Sequence, residues 1–310
     1  MNRFRVGHLI TRWRALALIV GAVWARSADL ESFATPDAAA AALASAAASQ
    51  DPTALSRLFG PEASELVNPD PVQSRQETED FSKAYAESHR WDEPSADRRV
   101  LLLGKEAIPF SVPLIRSKGG WQFDYQAGKE ELLNRRIGRN ELATLAAVRT
   151  YVDAQREYAL RDRDGDEVLE FAQRITSSPG TMDGLYWPVE EGGDLSPLGP
   201  LFATAQAEGY RSTPGGTGAP QPFHGYLYKV LTRQGSHAPG GRYSYVINGN
   251  MIGGFGLVAY PAVYGETGIM TFIVNQQGKV YQKDLGPRTL RQAKSMREYD
   301  PGSGWELSPD

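Results

Sequence analysis

A single long amphipathic pattern dominates this chain. From Leu142 to Ala159 apolar residues recur at every third or fourth position, and charged residues such as Arg149 and Asp153 take the opposite side. That period predicts one long central helix with one face against a core. Elsewhere, apolar residues come in short runs between glycine-containing turns, which is typical of antiparallel strands. We therefore predict an α+β protein in which a long helix packs on a C-terminal antiparallel sheet.

The part of the chain before this helix begins with helix signals and ends with strand signals. Thr35-Pro36 and Asp51-Pro52 each place a capping side chain before a proline, which favours a helix start. The order of helices followed by a small antiparallel sheet is similar to that of nuclear-transport-factor-2-like (NTF2-like) and cystatin-like domains. The predicted helices cover residues 36–49, 52–59 and 77–89, and the predicted strands cover residues 99–103, 108–115 and 120–125.

The C-terminal part of the chain is predicted to consist mainly of strands. A connection rich in Pro and Gly runs from residue 178 to residue 222. The segment 275–278 is typical of a hairpin turn, because its final glycine tolerates a positive φ. We divide the chain into a signal peptide at 1–25, an N-terminal α+β domain at 29–130 and a C-terminal helix-plus-sheet domain at 131–310. The predicted C-terminal strands cover residues 226–231, 243–247, 255–260, 270–275 and 279–283.

The first 25 residues have the pattern of a secretory signal peptide. Four arginines, the last of them Arg14, precede an apolar run from Ala15 to Ala25, and Val23 and Ala25 are the small residues that signal peptidase requires. The run is roughly half of the ~20 apolar residues that a membrane-spanning helix needs. We expect cleavage after Ala25 or nearby, and export of the mature protein to the periplasm or the medium without an integral membrane segment.

Charge and composition narrow the classes of partner. The whole chain has a formal net charge of −4, and loss of the four leader arginines would leave −8. So acidic a protein is a poor ligand for nucleic acid or for anionic lipid. Because the chain has no cysteine, it has no disulfides, and its stability depends on core burial or on bound ions. The expected partner is a protein or polymer of the cell envelope.

The segment after the long helix contains the one cluster of potential metal ligands, and it partly fits a calcium loop. Alternating acidic residues repel one another, and a hard cation bound by oxygen atoms relieves that repulsion. The pattern departs from a calcium loop at Glu167, where the loop has Gly, and at Gln173, where it has a bidentate Glu. Apolar residues from 168 to 175 predict a further turn or short helix. The alternative is an acidic, solvated loop neutralised by neighbouring arginines. The predicted ligands are Asp162, Asp164, Asp166, Val168 through its carbonyl, and Glu170.

No catalytic constellation stands out in the sequence. The histidines outside the leader are His89, His224 and His237, and none has metal-ligand spacing. Zinc-protease, phosphate-loop, nucleophile-elbow and dinucleotide signatures are absent. Carboxylates far apart in sequence could still catalyse a hydrolysis. The leading hypothesis is therefore a non-enzymatic binding or assembly protein, and the alternative is a periplasmic hydrolase that uses carboxylates in an interdomain cleft.

Four stretches of the chain are similar to one bacterial family. They are residues 134–141 (NRRIGRNE), 151–158 (YVDAQREY), 183–188 (DGLYWP) and 271–275 (TFIVN). Together they resemble an exported family catalogued as domain of unknown function 2950, and the resemblance covers nearly the whole mature chain. It implies no activity. It does imply that the acidic loop commonly has Gly where this chain has Glu167.

The C-terminal half also resembles the globular part of type IV pilin-like and pseudopilin proteins. The resemblance rests on a helix that opens at Asn140-Glu141, an Asp-rich loop, an antiparallel sheet and a closing hairpin from Gly268 to Asp284. Some proteins of that group bind calcium in loops of the head, which implies a structural Ca²⁺ here. The leader lacks a prepilin cleavage motif and the helix lacks an apolar membrane half, so assembly into a pilus is not expected.

Overall fold

The computed structural model describes residues 30–49, 51–65, 67–163, 165–189, 192–210 and 221–309. Over these ranges the protein combines helices with antiparallel sheets, and the predicted α+β fold class is confirmed. The predicted signal peptide at 1–25 and the predicted ligand Asp164 lie outside the described ranges. Within them, no helix is both long enough and apolar enough to cross a membrane.

The N-terminal half packs three helices against a small antiparallel sheet. The helices are α1 (Pro36–Ser49), α2 (Pro52–Phe59) and α3 (Pro71–Glu87), and the strands are β1 (His89–Ser95), β2 (Arg98–Leu103), β3 (Ile108–Pro109), β4 (Leu114–Ser117) and β5 (Gly120–Phe123). The sheet runs β1-β2-β4-β5, and β3 pairs with β2. Its core joins Leu43 of α1 and Phe59 of α2 to Leu101 and Phe123 of the sheet.

Three N-terminal predictions differ from the structure. The strand predicted at 108–115 is two strands, β3 and β4, separated by residues 110–113. Helix α3 starts at Pro71 rather than at residue 77, with Asp70 as its cap. The Asp70-Pro71 pair is the same start signal that predicts α1 and α2, so the sequence contains the correct start. The sequence pattern does not predict β1, because this strand is mostly exposed and shows no apolar alternation.

One long helix, α4 (Tyr125–Tyr158), runs from the N-terminal sheet to the C-terminal core. It begins where the Asp124 carboxylate accepts a hydrogen bond from the Ala127 amide (3.2 Å), well before the predicted start. Gly128 lets the helix approach the preceding loop, since a Cβ there would lie 2.6 Å from the Ser111 carbonyl oxygen. The buried positions of this first half include Arg136 and Asn140, so the apolar period that predicts the second half of the helix is absent here. The boundary between residues 130 and 131 falls inside α4, and the division into two domains stays a prediction.

The C-terminal half is a five-stranded antiparallel sheet between two helices. Its strands are β8 (Tyr226–Leu231), β13 (Gly256–Pro261), β14 (Met270–Asn275), β15 (Tyr281–Asp284) and β17 (Glu306–Leu307), in the order β17-β15-β14-β13-β8. Along β13, Leu257 and Ala259 face the cluster formed with α4. Val258 and Tyr260 face the other cluster, which contains Ala293 of the short helix α6 (Thr289–Ser295). Because successive side chains of a strand point to opposite faces, α4 and α6 lie on opposite faces of this sheet.

The remaining elements of the C-terminal half are short. The predicted turn at 275–278 is present, with Gly278 at φ 77° and its amide 2.8 Å from the Asn275 carbonyl. Helix α5 (Gly199–Glu208) falls within the Pro/Gly-rich connection. The other short strands are β6 (Arg174–Thr176), β7 (Gly184–Tyr186), β9 (Arg233–Gln234), β10 (Tyr243–Ser244), β11 (Val246–Ile247), β12 (Asn250–Met251) and β16 (Glu298–Tyr299).

Candidate functional site at the end of the long helix

The acidic loop after α4 is held by hydrogen bonds to its own carboxylates. The Asp162 side chain accepts from the amides of Gly165 (2.7 Å) and Glu167 (2.9 Å). Glu167 has a left-handed backbone conformation, with φ 64°, which costs a residue other than glycine about 1–2 kcal/mol. Calcium loops use Gly for the sharp turn at this sixth position. The chain therefore makes a tight left-handed turn at the sixth position with Glu in place of Gly.

The second half of the loop is tied to the hairpin formed by β11 and β12. The Asp166 carboxylate accepts hydrogen bonds from the Val168 amide (2.8 Å) and from the side-chain amide of Asn250. The Glu170 carboxylate accepts from the Met251 amide (2.6 Å). Residues 168–172 are not helical, so the prediction of a further turn or short helix here is wrong. Hydrogen bonds from the hairpin take the place of helical ones along this stretch.

The calcium site remains a prediction. Among the described residues, no three His, Asp or Glu side chains are grouped so that they could hold one metal ion. The third predicted ligand, Asp164, is outside those residues, so the predicted set of Asp162, Asp164, Asp166, Val168 and Glu170 is not complete there. A cation in this loop would compete with the amide donors for the carboxylate oxygens.

The end of α4 and the loops beside it form a strongly acidic segment, which we call the acidic end (residues 153–195). It contains eleven Asp or Glu and four Arg, a net charge of −7, whereas the whole chain has −4. It also exposes apolar side chains: Leu160 (75%) and Leu195 (76%) are more exposed than any other large apolar residue in the described ranges. Leu169 and Val189 of the same segment are exposed as well. Exposed apolar surface rimmed by charge is typical of interaction sites.

Side-chain contacts bring two loops of the acidic end together. The Arg161 guanidinium lies 3.3 Å from the Asp194 carboxylate. The Trp187 indole donates a hydrogen bond to the Asp194 carbonyl (3.0 Å). Leu160 and Leu195 adjoin this ion pair in sequence, one on each loop, and we therefore treat them as parts of one surface.

A second polar cluster lies where the N-terminal half meets the C-terminal half, and we call it the junction. At its centre Asp70 is 1% exposed. One carboxylate oxygen accepts from the Val72 amide (3.0 Å) and the Gln73 amide (3.3 Å), and the other accepts from the Tyr210 hydroxyl (2.8 Å) and the Gly225 amide (3.1 Å). Burial and the neighbouring carboxylate raise the pKa of Tyr210, so its hydroxyl stays protonated and donates. Asp70 thereby joins the start of α3 to the C-terminal half.

The direction of the hydrogen bonds made by Gln73 is fixed from two sides. The Asp70 amide donates to Asn68 Oδ1 (3.0 Å), so the Asn68 nitrogen donates to Gln73 Oε1 (3.2 Å). The Asn140 nitrogen donates to the Thr267 carbonyl (2.9 Å), so Asn140 Oδ1 accepts from Gln73 Nε2 (2.9 Å). Both chains of hydrogen bonds make Gln73 Nε2 a donor.

The tip of a tight turn from the C-terminal half inserts into this cluster. His224 and Gly225 have φ of 48° and 72° and connect the bridged residues Phe223 and Tyr226. His224 Nδ1 lies 3.3 Å from Gln73 Nε2, which donates to it, so the proton of the neutral ring is on Nε2. That Nε2 atom is 3.2 Å from the Glu208 carboxylate.

The junction suits a structural joint better than acid–base chemistry. A general base needs an atom that can reach a substrate proton, yet both ring nitrogens of His224 contact protein groups. The Asp70 carboxylate accepts four hydrogen bonds from the protein. The Asp70-Pro71 signal could have identified the cap, but Tyr210 and Gly225 lie 140 and 155 positions away, and no local pattern shows such contacts.

The other two histidines lie in separate parts of the fold. The His89 ring stacks on Tyr85, with centroids 4.1 Å apart. His237 Nδ1 lies 3.0 Å from the Asp300 carboxylate, which also accepts from the His237 amide (2.8 Å). Burial tends to raise the pKa of Asp300, but the hydrogen bonds and charge of His237 outweigh it, so the pKa of this carboxyl is lowered. None of the three histidines shares a site with another.

Comparison with known proteins identifies a family but no activity. No curated protein and no solved structure significantly matches the chain. The sequence model of one family, described as a protein of unknown function (DUF2950), matches residues 30–307. This match extends from before α1 to the end of β17 and so includes every described helix and strand. The chain therefore belongs to the DUF2950 family.

Proposed function

We propose that this protein acts in the periplasm or cell envelope as a non-enzymatic binding or assembly protein, and that the acidic end is its binding surface. The leader pattern supports export. The observation that carries the proposal is that a segment with a net charge of −7 also holds two leucines at 75% and 76% exposure. A partner with apolar side chains flanked by Lys or Arg would complement this surface.

The acidic end is presented on a fixed frame, which suits recognition. Near the end of α4, Gln155 is fully buried. Its side-chain nitrogen donates to the Ala172 carbonyl (2.8 Å), and its side-chain oxygen accepts from the Ala172 amide (2.9 Å). These two hydrogen bonds fasten the helix to the chain on the far side of the acidic loop. A surface ordered before binding loses less conformational entropy when a partner docks.

We also propose that calcium braces this end of the helix through the predicted ligands. The test is thermal unfolding of the chain from Arg26 to Asp310, first in chelator and then in millimolar Ca²⁺ or Mg²⁺. Ligand at a hundredfold excess over its Kd stabilises the folded state by about 2.7 kcal/mol. A calcium-selective rise in unfolding temperature that Asp164→Ala abolishes would support the site. The same unfolding temperature in chelator and in calcium would remove calcium from the proposal.

The alternative function is a periplasmic hydrolase with carboxylates in an interdomain cleft. The junction gives it less support, because Asp70 is buried and accepts four hydrogen bonds, and Glu208 contacts His224. The hydrolase hypothesis predicts that the protein turns over an envelope polymer. It also predicts that a single Asp or Glu substitution abolishes this turnover without unfolding the protein. That result would favour it over the binding protein.

A peptide probe tests the binding surface directly. A fluorescent peptide of alternating Lys and Leu is titrated with the wild-type chain, with Leu160→Ser/Leu195→Ser, and with the control Leu142→Ser. Leu142 is 70% exposed but lies outside the acidic end. We expect the double variant to bind about tenfold more weakly, a difference of about 1.4 kcal/mol, and the control to bind like the wild type.

Two outcomes would contradict this assignment. The first is a double variant that binds the Lys/Leu peptide as tightly as the wild type does. The second is an oligolysine without leucine that binds as tightly as the amphipathic peptide. Either result would mean that the exposed leucines take no part in recognition and that the surface attracts cations through charge alone.

A further inference from the structure

A basic surface lies on helix α6. Residues 285–297 contain four basic residues and no acidic one. Arg288, Arg291 and Lys294 recur at every third position, which places them along one side of the helix and its N-cap. These three residues, Arg297 and Leu290 are all exposed. Within the described ranges none of the four basic side chains has an ion-pair partner. The surface therefore combines unpaired positive charge with an exposed leucine.

The basic surface and the acidic end lie on opposite sides of the C-terminal sheet. Helix α4, which leads into the acidic end, packs on the face that contains Leu257 and Phe272. Helix α6 packs on the other face, where Ala293 joins Val258. The Lys229 ammonium holds the end of α6 through the carbonyls of Lys294 (2.7 Å) and Met296 (2.6 Å). No ion pair links residues 153–195 to residues 285–297 in the described part of the chain.

We infer that the partner of the acidic end is a second copy of this chain, which presents its α6 surface. The inference rests on the proposed function, because it names the occupant of the same binding surface. The charges are opposite, and each surface offers exposed leucine: Leu160 and Leu195 on one side, Leu290 on the other. Attraction between such surfaces brings two copies together in one orientation.

The contact joins two different surfaces, and this determines the kind of assembly. The two surfaces lie on opposite sides of the sheet, so a copy bound at one of them leaves the other open, and the copies associate head to tail rather than as a closed dimer. Exposed charges contribute much of the attraction, so association weakens as salt is added. The basic surface is a short helix, which indicates a weak, reversible contact.

Analytical ultracentrifugation of the chain from Arg26 to Asp310 tests the inference. At low salt the average mass should rise with protein concentration beyond that of a dimer, and added salt should reverse the rise. Arg291→Glu/Lys294→Glu should lower the association constant at least about tenfold. The control Arg90→Glu/Lys118→Glu makes the same change in net charge at exposed positions of the N-terminal half, and should associate like the wild type.

Mixing two variants adds a specific test of surface pairing. Glu157→Lys/Glu167→Lys alters two exposed positions of the acidic end and should also block association. Each double variant keeps one wild-type surface, so a mixture of the acidic-end variant with Arg291→Glu/Lys294→Glu should associate although neither does alone. Unchanged circular dichroism and unfolding temperature would show that all variants are folded.

These experiments distinguish a failure of head-to-tail association from a failure of the proposed binding surface. A monomer at every concentration, a closed dimer, or equal effects of the control and the α6 variant would overturn head-to-tail association. If the Lys/Leu peptide still binds the acidic end in a leucine-dependent way, the binding surface stands and its partner is another cationic protein. If the peptide binding also fails, the proposed function fails with it.

Discussion

Aspartates at the junction and at the acidic end have the same chemistry but different surroundings. Asp70 is 1% exposed, and its carboxylate accepts hydrogen bonds from both halves of the protein. Asp162 and Asp166 are exposed, and they accept from the amides of their own loop, with Asn250 as a further donor to Asp166. A buried carboxylate needs a full set of donors, so it fixes the fold. An exposed carboxylate keeps contact with water and can respond to a partner or an ion.

Asp70→Ala should produce the largest loss of stability. It leaves the Val72, Gln73 and Gly225 amides and the Tyr210 hydroxyl without their acceptor, and we expect a loss of at least about 3 kcal/mol in the free energy of unfolding. Urea denaturation measures this loss. Asp51→Ala is the matched control, because Asp51 is also an Asp-Pro helix cap but accepts from Thr53 at an exposed site. Equal losses in the two variants would show that Asp70 is only a helix cap and not a joint.

Gly225→Ala should have the next largest effect, because it disturbs the turn that enters the junction. A Cβ at this residue would lie 2.6 Å from Asn140 Nδ2 and 2.9 Å from Thr267 Cβ, and φ is 72°. We expect a loss of about 3 kcal/mol, from left-handed strain and overpacking together. Gly241→Ala is the control, because Gly241 has a similar φ of 75° and an added Cβ there would have no atom within 4 Å. This variant should therefore lose only the backbone strain, about 1 kcal/mol. Similar unfolding midpoints for the two variants would mean that the turn is not tightly inserted.

These two regions also show how far the sequence alone predicts the structure. The apolar period of α4, the Asp51-Pro52 start of α2 and the turn ending at Gly278 are local signals, and the structure contains all three. Four strands of the C-terminal sheet, β8, β13, β14 and β15, also lie where the sequence predicts strands, but β17 is not predicted. Local patterns succeed here because the residues that determine each element are neighbours in the chain.

The candidate sites are predicted less well, for two different reasons. The junction depends on contacts such as Asp70 with Tyr210, separated by 140 positions, which only the folded chain brings together. The acidic loop is visible in the sequence, but its role depends on which donors reach its carboxylates. The hydrogen bond from the Met251 amide to Glu170 comes from a hairpin 81 positions away. Spacing alone does not distinguish such a donor from a metal ion.

Glu167→Gly, at the acidic end, should slightly increase the stability of the protein, whereas the two substitutions at the junction decrease it. Glycine removes the strain of a left-handed residue, about 1–2 kcal/mol, but loses more conformational entropy on folding, about 0.5–1 kcal/mol. We therefore expect a net gain of at most about 1.5 kcal/mol in the free energy of unfolding, measured by urea denaturation. Glu157→Gly in the last turn of α4 is the comparison and should lower stability, because its backbone is helical. A loss of stability in Glu167→Gly would imply that the Glu side chain makes a stabilising contact.

Asp183 is intermediate in exposure between the buried Asp70 and the exposed Asp162 and Asp166. It belongs to the acidic end but is only partly exposed. Burial tends to raise its pKa, but hydrogen bonds from the Ser178 amide and hydroxyl and the Thr181 hydroxyl outweigh burial, so the pKa is lowered from 3.8. A lowered carboxyl pKa stabilises the folded state above the unfolded pKa, and this stability is lost as pH falls through the folded value. The urea midpoint of the wild type should therefore fall more steeply than that of Asp183→Asn as pH drops below 3.8. Parallel pH profiles would mean that these donors do not favour the ionised carboxyl, and that Asp183 behaves like the exposed acids around it.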